Sequence, residues 1–87
     1  MDLEQLLRSR GRVRVLKVVL ERGQINVSRL ARETGLHHRI VSKYIEEFKS
    51  MGIVSEKRYG RLRVIEANLL DPRIGALRRL LRELEKL

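Results

Sequence analysis

The 87-residue chain contains no cysteine, which removes disulfides, thiolate metal sites, cysteine nucleophiles and iron–sulfur clusters together. The fold must be held by packing. The longest unbroken apolar run is Val18, Val19 and Leu20, against the roughly 20 residues of a membrane-spanning helix, and no apolar signal-peptide core follows Met1. A soluble, cytoplasmic chain with no membrane partner is the expectation. There is no linker rich in Gly, Pro or Ser, no internal repeat and no low-complexity stretch. Catalytic constellations are also missing. Ser9, Ser28, Ser42, Ser50 and Ser55 have no triad around them, no carboxylates are paired and no phosphate loop occurs, which argues against an enzyme.

What the chain has is positive charge: 20 Lys and Arg against 11 Asp and Glu give a net +9. The excess runs along the whole length rather than forming a basic tail, and it favours a polyanionic partner. The length fits one small domain. A domain of this size buries only about 60–65% of its unfolded surface, so a bound partner or a second copy is expected to contribute stability.

The periodicity predicts a mainly α fold with a small β-hairpin. Leu3, Leu6 and Leu7 follow Asp2 at helical spacing in a short amphipathic segment. Arg10 to Arg22 reads as a helix with Arg10, Arg14, Lys17 and Glu21 on one face and Val13, Leu16, Val19 and Leu20 opposite, closed by Gly23. Asn26 is placed to cap a helix over Val27 to Thr34, which Gly35 ends. Leu36 to Met51 is a third helix with Ile40, Val41, Tyr44, Ile45, Phe48 and Met51 inward; Arg39, Ser42, Lys43, Glu46 and Ser50 face outward. Ile53 to Arg58 and Arg61 to Glu66 form two strands joined across Tyr59-Gly60. Asp71 as cap and Pro72 at the first helical position start a last helix that runs to Leu87. Its Ile74, Leu77, Leu81 and Leu84, widened by Leu80 and Leu87, make a seam too apolar to leave in water. The division expected is residues 1–67 as one unit and 68–87 as a helical extension.

The order helix, helix, Thr34-Gly35-Leu36 turn, helix, hairpin is that of a winged helix-turn-helix. Over most of its length the chain resembles the archaeal and bacterial ArsR-like and MarR-like transcription regulators. Leu30-Ala31, Gly35-Leu36, Ile40-Val41-Ser42 and Met51-Gly52-Ile53-Val54 running into a basic hairpin carry the resemblance. It implies a nucleoid-associated, sequence-specific regulator that binds double-stranded DNA as a homodimer.

For the third helix, the resemblance places Arg39, Ser42 and Lys43 in the major groove with His38 bordering them, chemistry that suits base edges and phosphates. Lys57, Arg58, Tyr59, Arg61 and Arg63 would form the wing on the backbone or minor groove, although such charges also protect an exposed strand edge. Asn26 and Ser28, at a helix start, are candidates for a phosphate, and capping accounts for Asn26 equally well. His37-His38 invites a metal reading. Adjacent helical residues point about 100° apart and the cysteine motif of the metal-sensing ArsR-like proteins is missing, so neither a metal nor a cofactor is expected.

Leu3, Leu6, Leu7, Leu70, Ile74, Leu77, Leu80, Leu81 and Leu84 are the expected dimer interface. The competing reading folds the last helix back on its own domain. Two other functions use the same residues: an architectural protein binding DNA without base readout, and a winged-helix adaptor holding a protein partner of the transcription machinery.

Overall fold

The computed structural model describes residues 2–87. Its elements follow in the order α1 (Leu3–Leu6), α2 (Arg10–Arg22), β1 (Gln24–Asn26), α3 (Val27–Thr34), α4 (His38–Ser50), β2 (Val54–Tyr59), β3 (Leu62–Ala67) and α5 (Pro72–Glu85). Each long helix begins where a side chain accepts a hydrogen bond from one of its free amides. Ser9 Oγ accepts from Arg12 N at 3.2 Å and Asn26 Oδ1 from Arg29 N at 2.8 Å, while Asp71 Oδ1 accepts from Arg73 N at 2.9 Å ahead of Pro72. The expected third helix starts two residues late. His37 Nδ1 accepts from Arg39 N at 3.1 Å, which makes His37 the cap and leaves Leu36 in the turn. Gly35 ends α3 at φ 72°, a left-handed conformation that other residues adopt only with strain.

Three strands are present where a two-stranded hairpin was expected. β3 is central, pairing antiparallel with β2 and with β1, in which Ile25 stands opposite Ile65. Ala67 N donates to Gly23 O at 2.8 Å and Asn68 N to Ile53 O at 2.9 Å, fixing the sheet to the ends of α2 and α4.

One core serves all the elements. Leu16, Val19 and Leu20 of α2, Leu30 of α3, Val41, Ile45 and Phe48 of α4, Ile65 of β3 and Ile74, Leu77 and Leu81 of α5 pack in it, with Leu6 of α1 fully enclosed. Two sequence expectations are corrected by this packing. Ile40 is 41% exposed, because on a helix wheel it falls about 100° away from Val41 and clears the core. Leu6, Ile74, Leu77 and Leu81 are buried inside the single chain and are not surface for a second copy. The leucine seam is split: its inner row folds back on its own domain, while Leu80 and Leu84 stay 42% and 47% exposed and Leu3, Leu7, Leu70 and Leu87 are also exposed.

Leu77→Ala is expected to lower unfolding stability by about 2–5 kcal/mol, as for other core truncations. Sedimentation of the native fraction should show unchanged self-association; a loss of association without loss of stability would return Leu77 to an interface.

Candidate nucleic-acid interface

α4 is held from behind by Val41, Ile45 and Phe48, so its opposite side is free. Its two flanks are held by different chemistry. On one, Arg12 of α2 is largely buried and directs Nε at 2.9 Å and Nη2 at 2.7 Å to Glu47 Oε2, with its guanidinium 4.9 Å from the centroid of the Tyr44 ring. Tyr44 Oη and Ser9 Oγ are 3.4 Å apart, and a Cβ on Gly11 would stand 3.3 Å from that same Oη. A Cβ at Gly11 would require the Tyr44 side chain to give by a few tenths of an ångström.

The other flank carries the wing. On the inward face of the β2–β3 hairpin the apolar residues Val54, Ala67 and Ile65 give way to Glu56, Arg58 and Arg63 as the strands leave the core. Arg58 and Arg63 are directly opposite, a like-charge pair that would oppose pairing by itself. Glu56 resolves it. Its side chain is only 4% exposed and accepts from Arg63 Nε and Nη2, both at 2.9 Å, from Arg58 Nε at 3.0 Å and from Lys49 Nζ at 3.4 Å. Arg63 Nη1 also donates to Ser42 Oγ at 2.8 Å, so one guanidinium ties wing to helix. Hydrogen bonding from Arg63, opposed by burial and assisted by the charges of Arg63 and Lys49, holds the Glu56 carboxyl down at about 2.

These contacts divide the residues singled out in the sequence. Ser42 and Arg63 are joined to each other, and Arg58 is held by Glu56. Lys57 pairs with Glu66 at 3.4 Å on the outer face of the hairpin. His38, Arg39 and Lys43 on α4 and Arg61 at the wing tip are exposed, and the three cations have no carboxylate partner among the described residues. Tyr59 is exposed beside Arg61. Asn26 spends its oxygen on the α3 cap, and Ser28 is exposed in the first turn of that helix. The His37 and His38 rings stack with centroids 4.6 Å apart; among the described residues no group of three His, Cys, Asp or Glu side chains could hold a metal ion. No helix among the described residues is long and apolar enough to cross a membrane.

Glu56, Arg12 and Glu47 were not anticipated. Strand alternation, once the register is known, puts Glu56 on the inward face diagonally across from Arg63, and that was the available signal.

No family model matches the sequence and no curated protein is similar to it. Solved structures are. HlyU from Vibrio cholerae N16961 aligns over 98% of this chain and 89% of its own with a TM-score of 0.81 at 16% identity. The antimony-specific transcriptional repressor AntR aligns over 98% and 78% with a TM-score of 0.77 at 22% identity. A homodimeric winged helix-turn-helix DNA-binding domain from Mycobacterium bovis, described as a possible ArsR-family transcriptional regulator, aligns over 97% and 75% with a TM-score of 0.75 at 20% identity. The chain has the winged helix-turn-helix fold, with α3 and α4 as the helix-turn-helix, the β2–β3 hairpin as the wing and a three-stranded sheet at its base.

The pKa of Glu56 lies below its ordinary 4.5, so the wing anchor is at full strength above that value and is lost as pH falls toward about 2. Glu56→Gln is expected to lower stability at neutral pH by about 1.5–3 kcal/mol, the range for a hydrogen bond to a charged group. It should also flatten the acid limb of the unfolding curve between those two pH values. Urea titrations across that range check both; an unaltered acid limb would remove Glu56 from the anchor.

Proposed function

We propose that the chain is a homodimeric, sequence-specific double-stranded-DNA-binding transcription regulator of the ArsR-like and MarR-like winged-helix type. The observation that carries this reading is the bare outer face of α4. Arg39 and Lys43 stand there with no carboxylate partner among the described residues, while neighbouring Arg12, Lys49, Arg58 and Arg63 are each engaged by a carboxylate. Leaving two cations unpaired on a helix fixed from behind suits a polyanion that arrives from that side. Solved structures of the same fold that are transcriptional repressors support the choice of DNA.

In this reading Arg39 presents its planar fork to a guanine edge, with His38 beside it, and Lys43 approaches base or phosphate as a point charge. Arg61, with Tyr59 beside it, lies along the backbone or in the minor groove, and Ser28 borders a phosphate. Ser42 and Arg63 act one step back: their hydrogen bond sets the angle between wing and helix. Arg58 joins Arg61 at the backbone only if phosphate competes with Glu56.

What the core leaves out supports a second copy. Leu80 and Leu84 lie at i, i+4 on one exposed face of α5, continuing to Leu87, and Leu3 and Leu7 are the exposed leucines of α1 and its cap. The Mycobacterium bovis domain of the same fold is homodimeric. A two-fold pair presents two α4 helices to half-sites about 34 Å apart. The dimer then acts by occupancy near a promoter in the cytoplasmic nucleoid, blocking or recruiting the transcription machinery.

Two variants test the two halves of this reading. Arg39→Ala should cost about 1–3 kcal/mol on the best site and relax preference at one base pair in competition binding. A uniform loss on every sequence would contradict base readout. Leu80→Glu with Leu84→Glu should give folded monomers by sedimentation; an intact dimer would place the interface elsewhere.

A further inference from the structure

α4 has two flanks, and the wing lies along only one of them. A helix with its side chains is about 10–12 Å across, close to the roughly 12 Å width of the major groove of B-DNA. A helix seated there therefore has one phosphate strand along each flank. Ser42 marks the wing flank through Arg63. Tyr44, two residues on and so about 200° around the helix, marks the other. What lies against Tyr44 is the start of α2: Ser9 Oγ is 3.4 Å from its hydroxyl and Gly11 packs on the same ring.

Ser9 stands between two arginines. Arg8 and Arg10 are both exposed, and neither has a carboxylate partner among the described residues, whereas Arg12, one turn further in, is buried against Glu47. Ser9 against Tyr44 and Arg12 against Glu47 fix the start of α2 to α4, so the backbone that carries Arg8 and Arg10 is held beside that flank.

We infer that Arg8 and Arg10 form a second phosphate-contact patch, on the strand across the major groove from the one met by the wing. The duplex is then held at both walls of the groove, with α4 between them. This inference rests on the DNA-binding reading and adds a contact region that the wing and α4 do not supply. Arg8 and Arg10 read no bases. They set affinity, salt dependence and the seating of α4, because phosphate contacts position a protein without carrying sequence information.

The test is the salt dependence of binding by the full chain to a duplex of fixed length, from about 50 to 200 mM salt, where counterion release dominates. Arg8→Gln with Arg10→Gln should reduce the slope of log affinity against log salt by about 1.8, since each phosphate contact contributes about 0.9. The affinity loss should be the same on every sequence, and thermal unfolding should be unchanged, because neither side chain is buried. Arg79→Gln, removing an exposed cation on α5 that has no carboxylate partner among the described residues, controls for net charge and should leave the slope as it is. Ethylation of phosphates should interfere on both strands beside the bound helix, and with the double variant on the wing strand alone.

A double variant that keeps the wild-type slope and the two-strand interference pattern overturns this inference alone, provided Arg39→Ala still weakens binding. A wild-type chain that binds no duplex overturns it together with the DNA reading.

Discussion

α4 is gripped from behind by the core and from its two sides by α2 and the wing, and the arrangement of the helix-turn-helix and the hairpin depends on those three contacts. Val41, Ile45 and Phe48 sink into the core and fix its rotation. Apolar packing alone is non-directional, so its tilt needs something with geometry. Two guanidinium groups supply it. Arg12 joins α4 to α2 through Glu47 and the Tyr44 ring, and Arg63 joins it to the wing through Ser42 and Glu56. On the front, Arg39 and Lys43 are left without a carboxylate partner among the described residues.

The same contacts explain how charge is used. Ion pairs on an open surface contribute about 0–1 kcal/mol each, so those between Arg82 and Glu21 or Arg22 and Glu33 do little to hold the fold. Ile74, Leu77 and Leu81 attach α5, whatever the surface pairs do. Glu56 differs because its carboxylate is enclosed and collects Arg63, Arg58 and Lys49. An apolar residue there would leave Arg58 and Arg63 facing each other with nothing between them, and the hairpin would splay or twist away from α4. The carboxylate orients the wing by holding Arg63 and Arg58 in one place. Glu56 and Glu47 are thereby engaged by cations beside α4, while Arg39 and Lys43 on its outer side have no carboxylate partner among the described residues.

Where a signal was local, the sequence disclosed it. Asp71-Pro72, Asn26 and Gly35 mark helix ends by their own chemistry, and all stand where expected. The rows of α2 and α4 were readable to within a residue or two. Ile40 was misplaced because an apolar residue at the edge of a stripe gives no sign of whether a neighbour covers it. β1 was missed for a related reason: three residues carry no period, and Ile25 becomes a strand residue only because β3 lies beside it. The division of the leucine seam depends on where α5 docks, which spacing does not encode; Leu77 and Leu80 look alike in sequence and differ in burial. In the candidate interface, Arg39, Lys43 and Arg61 were legible as outward cations. Arg63 was legible as a cation but not as a strut, since its partner depends on hairpin register and on the contact between wing and helix.

The central claim is that the bare face of α4 reads sequence, twice per dimer. The most direct measurement is selection of bound fragments from random-sequence duplex DNA at about 150 mM salt, where nonspecific attraction is already partly screened. The account predicts an enriched inverted repeat with half-sites one helical turn apart. Retention of DNA with no enriched sequence would contradict it and leave a protein that binds backbone alone.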